Sequence, residues 1–547
     1  MTTIDPQTEF PIPADLQGFW QWDKMHMPRP ITPLTEEIFL HGVQDGFSKA
    51  MDEFACPVKF LQKAINYYGY GAIAPLDLGE ESIESRIGRY QATMGRVLPN
   101  IGELWEKEWL PSILPGLDKA KNLNYFDLTD KQLADTFDEL CDDFLARYVV
   151  HGKINFVTVC ASQFADFYNE KLNPADPTEP YHALQGFPTR SLDAGRGLWR
   201  LSRIVKADPS LKSQFETLEP TELLSRLEQS ESGRAFLKEL RTYLDEFGWR
   251  ADAFELAEPA WRENPRIPLN TIQGYLGLGD DADPDVKYQH SLTQRTQLLA
   301  SARERLAGDP AALAEFNGLY EAAKWYLTIT ENHNYYIDQV GNNVMRLPIL
   351  ELGRRLVHHG TIENVDDVFM LYRSEIREGL AGKDQRTLIA RRVAEMKHFA
   401  RMVPPPAIGD PPPMDGPSDP FGEAMGKMFG MPPEPSTDAS IVAGIPASRG
   451  TVQGRAKIVR TLSEASKVEP GDILVCEMTM PPWTPLFSTV AAVVADTGGV
   501  LSHCAIVSRE YGLPCVVGTI VGTSVLKDGM LLTVDGSKGI VRIDSLS

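Results

Sequence analysis

Residues Ala495 to Gly518 read ADTGGVLSHCAIVSREYGLPCVVG, and this stretch decides what the C-terminal part of the chain is. It opens at the end of an apolar run, Ala491-Ala492-Val493-Val494-Ala495, which has the pattern of a buried strand. Asp496-Thr497-Gly498-Gly499 breaks that run. Two glycines in succession let the backbone turn sharply and come close to a ligand. Cys504 to Tyr511 then reads as a short helix that stops at Gly512-Leu513-Pro514, with Ser502 as its N-cap. His503 therefore falls in the first turn of a helix, beside a glycine loop. Free N–H groups and the helix dipole favour an anion at such a place. A neutral imidazole held there is suited to take up a phosphoryl group and pass it on.

The 547 residues are enough for two or more domains with large cores. A hydrophobic content of 43% with 24% charged residues is that of a soluble globular protein. The formal net charge of -21 disfavours nucleic acid and anionic membranes as partners. No apolar run approaches membrane-spanning length, and Met1 to Phe10 has neither the basic start nor the apolar core of a signal peptide. The cysteines at 56, 141, 160, 476, 504 and 515 form no C-x-x-C pair, so no zinc site or disulfide framework is expected. A cytoplasmic protein with reduced thiols follows, and no residue is assigned to a metal.

The opening is irregular: Trp20, Trp22, His26, Pro28, Pro30 and Pro33 place aromatics among prolines, which packs a loop onto a domain surface. From about Glu36 to Arg401 the pattern is helical. Thr129-x-x-Gln132 fits a capping box, after which Leu133, Phe137, Leu140, Phe144 and Tyr148 keep to one face. Residues 66–74, NYYGYGAIA, interrupt this with strand character. Pro404 to Pro435 is rich in proline and glycine and reads as a semi-rigid, exposed linker. Within it Phe421, Met425, Met428 and Phe429 have the spacing of a short helix docking on a domain. From Ile441 onward short apolar runs alternate with turns, as in a compact β/α module.

The motif TGG-x-x-SH-x-A-x-x-x-RE-x-G-x-P-x-V-x-G resembles the phosphohistidine loop of the phosphoenolpyruvate-utilising, or dikinase, superfamily. Met478-Thr479-x-Pro481-x-Trp483-Thr484-Pro485 fits the same module. The resemblance implies a swivelling phosphohistidine domain with His503 as phosphoryl carrier and Thr497, Gly498, Gly499, Ser502 and Arg509 as its loop. The N-terminal W-x-W-D-x-x-H-x-P-x-P-x-T-P run, Phe247-Gly248-Trp249-Arg250 and Glu331-Asn332-His333-Asn334-Tyr335-Tyr336 resemble the substrate domain of the branch that includes phenylphosphate synthase and rifampin phosphotransferase. They suggest Glu331, Asn334, Arg250 and His26 as substrate-binding candidates and His333 as the acceptor-side base. The rifampin enzymes carry a basic pair where Thr330 and Asn334 stand here, which argues against a rifamycin acceptor.

The expected architecture is therefore a mostly α-helical acceptor domain over 1–403, a Pro/Gly-rich linker over 404–438 and a swivelling β/α phosphohistidine domain over 439–547. No glycine-rich nucleotide loop followed by lysine, and nothing like an ATP-grasp stretch, is found. The resemblance then implies a split enzyme: a separate ATP-grasp subunit binds ATP and Mg2+ and phosphorylates His503. His503 passes the phosphoryl to a hydroxyl acceptor, expected to be phenolic, as in aromatic catabolism. Two other readings are an antibiotic-type hydroxyl acceptor and a non-catalytic phosphocarrier.

Overall fold

Three aromatic-rich segments pair as strands: β1 (Trp20–Trp22), β2 (Val58–Ile65) and β3 (Tyr68–Pro75). The computed structural model describes residues 10–251, 253–411, 420–430 and 436–545. Ile65 pairs with Tyr68, which leaves Asn66 and Tyr67 at the hairpin tip with φ of 49° and 69°. A two-residue hairpin turn with both residues left-handed matches the strand twist, and asparagine tolerates that conformation. A fourth strand, β4 (Ala407–Ile408), comes from the proline-rich segment and gives the order β2-β3-β1-β4. Ile408 is buried with Trp20, Ile65, Tyr68 and Tyr70, and the Tyr70 hydroxyl donates to the Pro405 carbonyl at 2.8 Å. The start of the expected linker is thus anchored in a sheet rather than exposed, because it carries an isoleucine that completes an aromatic core. Residues 412–419 and 431–435 of the expected linker lie outside the described residues.

Beside this sheet, α1 (His41–Glu53) crosses α2 (Asp130–Phe156). The Thr129–Gln132 capping box is present, and Leu133, Phe137, Leu140, Phe144 and Tyr148 are all buried, as their spacing predicts. Glycines set how close the two helices come. A Cβ on Gly46 would lie 2.7 Å from the Tyr148 Cβ, and one on Gly152 would lie 2.7 Å from the Ala50 Cβ. Gly46→Val should therefore destabilise the fold by about 3 kcal/mol through overpacking, seen as a lower urea midpoint with an unchanged slope. At the far end of the same helix His359 Nε2 pairs with Asp130 Oδ2 at 2.7 Å, so this histidine caps an acidic partner.

By internal contacts the chain forms two compact units, each drawn from separate stretches. The first comprises Met1–Val157, Ala253–Pro259 and Tyr336–Pro417; the second Thr158–Asp252, Ala260–Tyr335 and Ser418–Ser547. The helical region expected as one domain thus contributes to both. In the second unit, α3 (Val159–Leu172), α4 (Arg190–Ala207), α5 (Pro284–Leu306), α6 (Pro310–His333) and α7 (Pro420–Phe429) pack with the C-terminal module.

That module is an eight-stranded sheet of β5 (Ile441–Ala443), β6 (Ile445–Ser448), β7 (Thr451–Val459), β8 (Ile473–Cys476), β9 (Ala492–Ala495), β10 (Cys515–Val517), β11 (Leu531–Asp535) and β12 (Ile540–Ser545). The order is β5-β12-β11-β7-β8-β9-β10-β6, with β7, β8, β9 and β10 parallel in succession. Parallel strands are covered on both faces, so β8, β9 and β10 are the uninterrupted apolar runs of the sequence and are wholly buried. The helix α8 (His503–Tyr511) connects β9 to β10. No helix among the described residues is long and apolar enough to cross a membrane.

Candidate functional site

The site begins where β9 ends. Asp496 is buried and accepts from Thr519 Oγ1 at 2.8 Å and from Thr523 Oγ1 at 2.5 Å, which fixes the exit of the strand. Thr497 Oγ1 donates to the Glu477 carbonyl at 3.0 Å. Gly498 turns the chain with φ of 97°, and Ser502 caps α8 by accepting from Ala505 N at 3.5 Å. His503 is the first residue of the helix.

The His503 ring lies between two threonines. Nδ1 is 3.1 Å from Thr479 Oγ1 and Nε2 is 3.4 Å from Thr484 Oγ1, with the Phe487 ring perpendicular to it at 6.4 Å. Burial lowers its pKa to about 3; a hydrogen bond to the Thr479 backbone opposes the shift and the Arg250 charge reinforces it. The imidazole is accordingly neutral at physiological pH. Both hydroxyls can donate or accept, so each ring nitrogen has a partner in either neutral tautomer. Thr479 and Thr484 belong to the stretch that marked the module in the sequence, yet their contact with the histidine required the fold.

Two loop members take different places from those expected. The Arg509 guanidinium donates to the carbonyls of Ala447 and Val500, each at 2.8 Å. It braces the loop from beneath rather than facing an anion. Gly499, expected in the phosphoryl loop, donates its amide to the Met428 carbonyl of α7 at 2.8 Å, and the nearby Leu501 amide donates to the Lys427 carbonyl at 2.9 Å.

Beside Thr484 lies a cleft lined by Ser191, Tyr288, Glu331, Thr484 and Glu510. Its free volume of about 40 Å³ admits little more than a water molecule, so a ring-sized ligand requires it to widen. Burial raises Glu331 to about 7, against a hydrogen bond from Ser191 and the charge of Arg250. Glu510 is likewise raised to about 7 by burial, although both its oxygens accept from Gly186 N at 2.8 and 2.9 Å. Arg250 is buried, its guanidinium 5.5 Å from the centre of each of the Phe247 and Trp261 rings. Its charge acts on both His503 and Glu331. Ser191 and Glu510 had no separate signal beyond the R-E pair of the motif.

His333 is buried on α6 with Nδ1 3.3 Å from the Ile329 carbonyl of its own helix, and Asn334 Nδ2 donates to the Thr330 carbonyl at 2.9 Å. Neither lines the cleft, whereas Glu331 does. His26 belongs to the first unit. Its Nδ1 is 2.9 Å from Asp23 Oδ1, and it lines a cavity of about 340 Å³ with Met27, Ile31, Glu255 and Met396. Burial pulls the His26 pKa down, but the Asp23 carboxylate outweighs it and the net shift is upward.

Two family descriptions match this chain: the rifampicin phosphotransferase fourth domain over residues 155–329 and the PEP-utilising enzyme mobile domain over residues 468–539. The second covers the histidine loop and much of its sheet. Chondramide synthase cmdD of Chondromyces crocatus is 32% identical over 98% of this chain, which spans 14% of that protein. The uncharacterised phosphotransferase YvkC of Bacillus subtilis is 30% identical over 98% of the chain, which spans 63% of it. Rifampicin phosphotransferase of Streptomyces sviceus is 26% identical over 79% of the chain, which spans half of that enzyme (50%). These matches support the resemblance to the phosphoenolpyruvate-utilising, or dikinase, superfamily, with the mobile-domain match falling on the histidine module itself.

Proposed function

We propose that this chain is a phosphotransferase that carries a phosphoryl group on His503 Nε2 and delivers it to a hydroxyl compound. The observation that carries the reading is a neutral imidazole at the start of α8 whose Nε2 lies 3.4 Å from Thr484 Oγ1, Thr484 being a lining residue of the cleft that also holds Glu331. The named functions of YvkC and rifampicin phosphotransferase support the class of reaction.

In the first half-reaction ATP, water and His503 give phosphorylated His503, AMP and phosphate: Nε2 bonds to the β-phosphorus as the bond to AMP breaks, and water takes the γ-phosphoryl as inorganic phosphate. ATP and Mg2+ are held by a separate ATP-grasp subunit. In the second, the acceptor oxygen attacks phosphorus, the P–N bond breaks and Nε2 regains its lone pair. The acceptor's proton goes to Glu331, whose pKa of about 7 suits a general base. Glu331 thus takes the role first given to His333. A phenol, with pKa near 10, gives up its proton more readily than an alcohol, so a phenolic acceptor is favoured. The narrow cleft has to open to admit a ring, which a swivelling histidine module provides.

The test is to mix the protein with an ATP-grasp subunit, Mg-ATP and a panel of phenols and follow AMP release. The chain alone should form no AMP, and the partner should start the reaction. Rapid phosphorylation of His503 by this chain and ATP alone would remove the split-enzyme reading.

A further inference from the structure

The glycine pair ahead of His503 has a structural occupant. The last turn of α7 lies against it: Met428 O accepts from Gly499 N at 2.8 Å and Lys427 O accepts from Leu501 N at 2.9 Å. A Cβ on Gly499 would lie 2.2 Å from the Lys427 carbonyl oxygen. At Gly430, where α7 ends with φ of 86°, a Cβ would lie 2.5 Å from the Gly498 carbonyl oxygen. Contacts this short are closed to any side chain, so glycine at 430 and 499 lets the helix end and the loop interlock. The side chain of Lys427 reaches the other way, to α3. Its Nζ donates to Asp166 Oδ1 at 2.6 Å and to Ser162 Oγ at 2.8 Å. Ala424, one turn earlier, is fully buried.

One helix therefore grips the histidine loop through its backbone and α3 through a single cation. We propose that Lys427 is a positioning residue: α7 is a clip that fastens the phosphohistidine loop to α3, and the Lys427–Asp166 pair sets how firmly His503 is held at the acceptor cleft. The proposal rests on the reading of His503 as carrier. It makes the Pro/Gly-rich segment a working part of the delivery step, beyond a tether. A partly exposed ion pair is weak enough to open repeatedly, as a shuttling module requires. Arginine at 427 can span the same gap and pair with Asp166, whereas glutamine cannot supply the charge.

The experiment compares wild type with Lys427→Gln, Asp166→Asn and Lys427→Arg in the full chain. Amide hydrogen exchange is read at Gly499 and Leu501, and His503 is labelled with phosphoramidate. In that labelling Nε2 bonds to phosphorus as the P–N bond of the reagent breaks and ammonia leaves. In Lys427→Gln and Asp166→Asn both amides should exchange about tenfold faster, and His503 should be labelled about fivefold faster because the held loop is released. Lys427→Arg should behave as wild type. Unchanged exchange in Lys427→Gln, or an equal loss of protection in Lys427→Arg, would overturn the clip. If wild-type His503 takes no label while the exchange pattern is as stated, the carrier reading fails and the clip stands. If the label forms and the pattern does not, the clip fails and the carrier reading stands.

Discussion

His503→Ala should reduce phosphoryl capture to background, a loss of at least about 10³-fold, since no other group replaces a nucleophile. The measurement is acid-labile, alkali-stable label on the protein after incubation with Mg-ATP and an ATP-grasp subunit. Full labelling of the folded variant would end the proposal. Folding should survive, because the ring's polar contacts are the two threonine hydroxyls and the Thr479 backbone. Acid stability gives a second reading of the same residue. The folded pKa of about 3 lies below the ordinary histidine value of 6.5, so the unfolded chain takes up the proton first. Stability from this group is present above pH 6.5 and is lost as pH falls from there towards 3. His503→Ala should accordingly lose less stability than wild type between pH 6 and pH 4, measured by urea unfolding. Steeper acid unfolding of the variant would place a charged imidazole at 503.

The histidine module was legible because its chemistry and its fold share a short stretch. The apolar runs at 473–476, 492–495 and 515–517 became the buried parallel strands, and Ser502 became the cap on which His503 sits. The capping box at Thr129 and the helix at 420–429 were legible for the same reason: both are local patterns of caps and periodicity. What escaped was set by long-range packing. Arg509 looks like an anion ligand from its place in the motif, yet burial turns it to two carbonyls. Gly499 looks like room for a phosphate, yet the room is filled by α7. Ile408 sits in a proline run that reads as linker, and only pairing with β1 shows it as core. His333 and Glu331 are two residues apart on one helix and so point to different sides. Sequence spacing could nominate the pair but not decide which of them meets the cleft.

That decision carries the other large effect. Glu331→Gln should slow transfer from phosphorylated His503 to a phenol by about 10²-fold or more, with phosphorylation by the partner unchanged. Wild-type transfer should rise tenfold per pH unit below about 7 and level off above it, since only ionised Glu331 accepts the proton. The variant should lose that limb, and its deficit should shrink for phenols of lower pKa, which need less help. The assay is single-turnover: label His503, remove ATP, add the phenol and follow the label at several pH values. Stability should move the opposite way. A folded carboxyl raised from 4.5 to about 7 holds its proton longer than the unfolded one, so stability falls as pH rises through that window. Glutamine removes this cost, and at pH 8 the variant should be more stable, on the order of 3 kcal/mol. Slower chemistry on a more stable protein separates a base from a packing residue, because loss of packing would lower both. His333→Ala, by contrast, should leave the pH limb in place, since its Nδ1 faces the Ile329 carbonyl of its own helix. A pH limb that survives in Glu331→Gln and vanishes in His333→Ala would return the base to His333.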